Sequence, residues 1–160
     1  MKTYPVYLNG NWVVTGDSIP VVNPASTEVI GRMSAVDRVH VTQALADAHA
    51  AFSAWREMTG RGRGELLEKI ADEVERRREE IARVITLENG KPIGQSQGEV
   101  AMSVDHLRWF AGEARRIYGR VVPQQIESKR HLVLKTPVGV VAAISPWNFP
   151  LMLAVRKLAP

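Results

Sequence analysis

"VGVVAAISPWNFPLMLAVRKLAP", Val138 to Pro160, decides the fold class. Its first seven residues, Val138 to Ile144, carry no charge and do not alternate. That is the pattern of a parallel strand buried on both faces. A tight loop follows, Ser145-Pro146-Trp147-Asn148-Phe149-Pro150. Each proline disfavours helical backbone in the residue before it, so Ser145 and Phe149 are expected to be extended. The two rings also fix their own φ, which makes the loop stiff. Pro150 suits the first position of a helix, where its missing N–H costs nothing, and "LMLAVRKLAP" reads as that helix. Buried strand, tight loop and helix together open a doubly wound α/β unit. A parallel sheet needs further strands beside the first, and none follows before Pro160. The sequence is therefore expected to be the front part of a longer protein.

Loops at the carboxyl ends of parallel strands are where α/β proteins bind ligands. A stiff loop there holds a side chain beside a pocket with little left to order during reaction. Asn148 offers an uncharged amide donor, which suits an oxyanion forming on a carbonyl carbon under attack. The alternative for Asn148 is a residue that only caps the turn, and the residues by themselves leave both open. No Gly-rich phosphate loop is present, neither G-x-G-x-x-G nor G-x-x-x-x-G-K-[ST].

Upstream of this stretch the chain changes character twice. Val6 to Val14 carry short apolar runs around Asn9-Gly10, a hairpin signal. Further short strands are expected at Ile19–Val22, ended by Asn23-Pro24, and at Glu28–Ile30, giving a small antiparallel piece. Helices follow. Asp37 is a good N-cap, ahead of Val41, Ala44, Leu45, Ala48, Phe52 and Trp55 at helical spacing. A second helix carries Leu66, Leu67, Ile70, Val74, Ile81, Val84 and Ile85 on one side and charge on the other. It ends at Asn89-Gly90 with Pro92 beyond. A third holds Val100, Val104, Leu107, Ala111, Ala114 and Ile117 and stops near Gly119. These stripes are read as core. "TGRGRGE", Thr59 to Glu65, is too short for an RNA-binding Arg-Gly tract and reads as a helix-entry loop. Beyond Gly119 the sequence is rich in Val, Ile and Leu, and "HLVLK" alternates as a half-buried strand does.

Composition excludes several chemistries. There is no cysteine, hence no disulfide, no thiolate metal site and no cysteine nucleophile within these residues. His40, His49, His106 and His131 show no metal-ligand spacing and are read as structural. The net charge of +4 is spread over interleaved acids and bases, as in "EVERRREEIAR", which describes a solvated helix face rather than a nucleic-acid surface. No apolar run reaches membrane-spanning length, and "MKTYPVYLNGNWV" lacks the apolar stretch of a signal peptide. A cytoplasmic protein is expected, with no nucleic-acid or membrane partner.

Several segments in register resemble the aldehyde dehydrogenase superfamily: "YLNGNWV", "VVNPASTEVIG", "LENGKP", "LRWFAGEARRIYG" and "PVGVVAAISPWNFPLMLAVRKLAP". The last is similar to that family's first nucleotide-binding strand and following helix. The resemblance implies the N-terminal part of that α/β fold: residues 1–120 as strands and helices of the cofactor-binding domain, 121–136 as an oligomerisation strand element, and 137–160 as the first buried strand, the PWNFP loop and the start of the next helix. It implies oxidation of an aldehyde to a carboxylic acid with NAD or NADP, by a homodimer or homotetramer. Asn148 would donate to the oxyanion, backbone around Ile144, Ser145, Pro146 and Trp147 would border the cofactor, and Phe149 would line the aldehyde tunnel. Lys157 would be structural or part of a proton relay. "RIYG", "KRHLVLK" and "VRK" look closest to succinate-semialdehyde dehydrogenases, where Arg156 would hold the substrate carboxylate with its donor fork. Val21, Val22 and Glu99 would be candidates for a monovalent cation.

Departures are as informative. The family's nucleophilic cysteine and general-base glutamate lie downstream of the matching segments. Ser26-Thr27 stands where Thr-Gly or Ser-Gly is common. Gly62 and Gly64 near a helix start are expected to weaken it by about 1 kcal/mol each relative to alanine. Two readings follow: part of an aldehyde dehydrogenase, inactive as these 160 residues alone, or a non-catalytic helical interaction module derived from such an enzyme. A reading frame continuing past Pro160 into a cysteine in family-like context separates them.

Overall fold

Asn9 and Gly10 both have positive φ, 46° and 79°, and close the expected hairpin. The computed structural model describes residues 1–160. The hairpin pairs β2 (Val6–Leu8) with β3 (Asn11–Val13), and sets Tyr7 opposite Trp12 with their rings edge to face. β4 (Ser18–Val22) and β5 (Val29–Ser34) pair antiparallel with an irregularity at Val21/Val22. β1 (Thr3–Tyr4) pairs with β5 in parallel. The expected antiparallel piece is thus a mixed sheet ordered β1-β5-β4, because the chain makes a separate hairpin before β4 and leaves the far edge of β5 to β1.

Helix α1 (Arg38–Glu57) starts where Asp37 predicts. The Asp37 carboxylate accepts from the His40 backbone N–H at 2.9 Å, and His40 turns its ring back in a capping box. Helix α2 (Gly60–Arg76) begins one residue after Thr59, whose hydroxyl accepts from Gly62 N–H. "GRGRGE" is therefore already helical rather than an entry loop. The expected single second helix is two, α2 and α3 (Arg78–Asn89), broken at Arg77 with φ −98° and ψ 16°. The break lets each part lay its own apolar side on α4 (Ile93–Glu113). Gly90, at φ 79°, caps α3 in the left-handed region, and a Cβ there would come within 2.8 Å of Pro24 Cγ. That glycine seats the β4–β5 turn against the α3–α4 corner.

The core lies along α4. One cluster joins Ala71 of α2, Val104 and Leu107 of α4, and Val155 and Ala159 at the chain's end. A second joins Ala82 and Ile85 of α3 to Val100. Val74 and Leu151 pack on both. Gly64 explains how α2 and α4 come so close: a Cβ there would lie 2.6 Å from the Ala111 carbonyl oxygen. The glycine that propensity marks as a weakness is a requirement of packing. α4 ends at Glu113, not near Gly119, so Ile117 leaves the stripe and is exposed.

β6 (Arg120–Val122) and β7 (His131–Val133) form an antiparallel pair whose side chains are mostly exposed. The run Val138–Ile144, expected as a buried strand, carries no regular secondary structure, and Val138 and Ile144 are 90% and 80% exposed. A buried parallel strand needs hydrogen-bonded neighbours and helices on both faces, and no strand lies beside this run. Helix α5 (Pro150–Leu158) opens with Pro150 at its first turn, as expected.

Candidate active-site loop and its support

The turn Trp147-Asn148-Phe149 is held by residues from the α3–α4 corner. Asn89 Nδ2 donates to the Trp147 carbonyl at 2.6 Å. Lys91 Nζ donates to the Asn148 carbonyl at 2.7 Å and sits 4.4 Å from the centre of the Phe149 ring. The same ammonium pairs with Glu99 Oε2 at 2.7 Å. Glu99 is fully buried on α4, and its other oxygen accepts from the backbone N–H groups of Leu151 and Met152, at 2.9 and 3.2 Å. These are free amides of the first turn of α5, so a carboxylate from another helix does the work of an N-cap.

Asn148 is thereby fixed through its backbone, while its side-chain amide makes no hydrogen bond within the chain and is exposed. Ile144 and Trp147 are 80% and 82% exposed, Ser145 is half-buried, and Phe149 is partly covered. The backbone of Ile144 and Ser145 makes no hydrogen bond within the chain, whereas the Trp147 carbonyl is taken by Asn89. The N–H groups of Ile144 and Ser145 are therefore free to donate to a ligand. Arg156 and Lys157 are exposed at the opposite end of α5 from Asn148. Arg156 has no ion-pair partner, and Lys157 Nζ donates to the Leu153 carbonyl at 3.1 Å. Both cations also suit the negative end of the helix.

Val21 lines a cleft of about 360 Å³ with Tyr4, Ile30, Met33, Leu87 and Glu88. With both oxygens engaged by an ammonium and two amides, Glu99 is a structural anion. Glu88, on the cleft, has its carboxyl pushed above the ordinary value by desolvation. Asn89 and Lys91 were missed by sequence reasoning, although both lie in "LENGKP", because nothing local says that their side chains reach a loop 57 and 58 residues away.

The sequence profile of the aldehyde dehydrogenase family matches residues 12–160. The chain belongs to this family. Among curated relatives, it is 39% identical over 156 residues to a glutarate-semialdehyde dehydrogenase of Pseudomonas putida, covering 96% of the chain and 32% of that relative. It is 40% identical over 155 residues to a mitochondrial succinate-semialdehyde dehydrogenase of Oryza sativa subsp. japonica, covering 96% of the chain and 29% of the relative. A solved variant of betaine aldehyde dehydrogenase from Staphylococcus aureus, in complex with NAD+, superposes with a TM-score of 0.90 at 32% identity, over 96% of this chain and 32% of that one. The chain thus spans about a third of the length of the aldehyde dehydrogenases it matches. Its five helices and small sheets are part of the aldehyde dehydrogenase fold. No helix is long and apolar enough to cross a membrane.

Proposed function

We propose that these residues supply the oxyanion donor, part of the cofactor wall and part of the substrate tunnel of an enzyme that oxidises a semialdehyde, succinate semialdehyde first, to the dicarboxylate. The observation that carries this is the division of labour at Asn148. Its backbone is held by Lys91, while its side-chain amide is left unspent. An asparagine that only capped the turn would spend that amide on the turn. When a thiolate from elsewhere in the whole enzyme adds to the aldehyde carbon, the carbonyl oxygen becomes an oxyanion and the Asn148 amide donates to it. Backbone of Ile144, Ser145, Pro146 and Trp147 would border NAD or NADP, which would accept the hydride. Water then releases the carboxylic acid from the thioester. With no cysteine, the 160 residues alone are expected to show no turnover.

Phe149 is assigned to the aldehyde tunnel. Arg156, exposed and without an ion-pair partner, is assigned to the substrate carboxylate. The names of the semialdehyde dehydrogenases above support a substrate that carries one carboxylate besides its aldehyde. Lys157 is given a structural role, in keeping with its bond to Leu153. Residues 1–120 and 137–160 are assigned to the cofactor-binding domain. Residues 121–136, with the exposed β6–β7 pair, are assigned to the contact between copies of a dimer or tetramer.

In the complete enzyme, Asn148→Ala is expected to lower kcat by about 10²–10³ with cofactor affinity unchanged. An unchanged kcat removes the oxyanion role. Arg156→Ala is expected to harm turnover of succinate semialdehyde far more than that of an uncharged aldehyde of similar length. Equal losses on the two substrates remove the clamp.

A further inference from the structure

We infer that Asn89, Lys91 and Glu99 are positioning residues for the Asn148 amide, resting on the oxyanion assignment above. A buried ion pair is costly to assemble and weak as a stabiliser, since the charges give up hydration that their attraction only partly returns. This pair is 10% and 0% exposed. Its geometry points past stability. The Lys91 ammonium is shared among Glu99, the Asn148 carbonyl and the Phe149 ring. Glu99 divides its two oxygens between that ammonium and the first amides of α5. Asn89 takes the carbonyl one residue earlier. Three consecutive residues of the turn, and the helix that begins after it, are thus referred to one corner of the fold.

The surroundings make these contacts decisive. Ile144 and Ser145 make no hydrogen bond to the rest of the chain, so the approach to the turn is unsupported. The two prolines stiffen the loop internally but do not fix where it sits. Its placement depends on Asn89 and Lys91, and Glu99 fixes Lys91. An oxyanion donor works only when it stands at the position the charge will occupy, and a displacement of about 1 Å costs up to about a hundredfold in rate.

Lys91→Met alone would leave a buried carboxylate without its counter-charge. The informative variant is the double substitution Lys91→Met with Glu99→Gln. Its neutral side chain at position 99 keeps an oxygen for the Leu151 and Met152 amides. In the complete enzyme it is expected to lower kcat by about tenfold to a hundredfold, with KM for the aldehyde moved less than about threefold. On an Asn148→Ala background the same double substitution is expected to cost less than about threefold, because the group being positioned is gone. A merely structural role gives the same loss on both backgrounds and overturns the inference, as does a double variant that keeps its kcat. Asn89→Ala serves where the double variant does not fold. It is expected to lower kcat less, with the same dependence on Asn148, and an effect independent of Asn148 overturns the inference. If Asn148→Ala keeps its kcat, the oxyanion assignment falls and the positioning role falls with it. If Asn148→Ala loses turnover while the Lys91/Glu99 and Asn89 variants keep it, the positioning role falls alone.

Discussion

α1 and α4 are nearly equal in length, 20 and 21 residues, and both carry an apolar stripe. α4 buries seven residues, Ser96, Glu99, Val100, Ser103, Val104, Leu107 and Ala111, whereas α1 buries none. Val41, Leu45 and Trp55 of the α1 stripe stay about half exposed. α4 is covered by α2, α3 and α5. An apolar stripe therefore records that a helix needs cover. It does not say that the cover lies in the same 160 residues.

The sharpest way to break this contrast is to truncate one leucine on each helix. Leu107→Ala is expected to cost about 2–5 kcal/mol in denaturant unfolding, since it opens a cavity in the main cluster. Leu45→Ala is expected to stay within about 0.5 kcal/mol. Equal losses would mean that the α1 stripe is covered after all. Gly64→Ala sharpens the α4 side. Helix propensity alone would favour it by about 1 kcal/mol, but its Cβ would meet the Ala111 carbonyl, and overpacking costs about 1–3 kcal/mol. A net loss of stability is expected, and a gain would show that α2 and α4 are free to move apart.

Two smaller tests concern charge. The Asp37 carboxyl is held below the ordinary aspartate value, chiefly by the bond from the His40 backbone N–H. A lowered folded value stabilises the cap above the unfolded value, and that contribution is lost as pH falls through the folded one. Asp37→Ala should therefore speed amide exchange at His40 at neutral pH but leave the α4 amides alone, and its effect should vanish in strong acid. Faster exchange in α4 would mean that the two helices are coupled. The Glu88 carboxyl is raised by desolvation, with the opposite sign. The folded chain favours its protonated form below the unfolded value, and that benefit disappears as pH rises through the folded value. Glu88→Gln is expected to raise Tm slightly at neutral pH and to make no difference in acid. A lower Tm at neutral pH would mean that the charge has a favourable partner.

What was legible in the sequence is what neighbouring residues decide between themselves. Asp37 caps α1, Asn9-Gly10 turns a hairpin, Gly90 ends α3 and Pro150 opens α5, each by a contact within a few residues. The family was legible too, through motifs in register that the profile match bears out. The features that neighbouring residues do not settle depend on distant partners. Val138–Ile144 has a strand's composition without a strand's neighbours. The break at Arg77 follows from how two helix segments share α4. A lone carboxylate such as Glu99 carries no mark in the sequence of the Lys91 ammonium and the α5 amides that engage it.

The bonds from Asn89 and Lys91 to the Trp147 turn span 58 and 57 residues of sequence. Contacts of that range close late when a chain folds, because the loop between them must be ordered first. Synthesis nevertheless runs from the N-terminus, and domains organise in that direction as they emerge. Asn89 and Lys91 thus leave the ribosome before the turn they bind, and the corner is completed only when Leu151 and Val155 pack on it. The PWNFP loop is therefore synthesised after the residues that hold it.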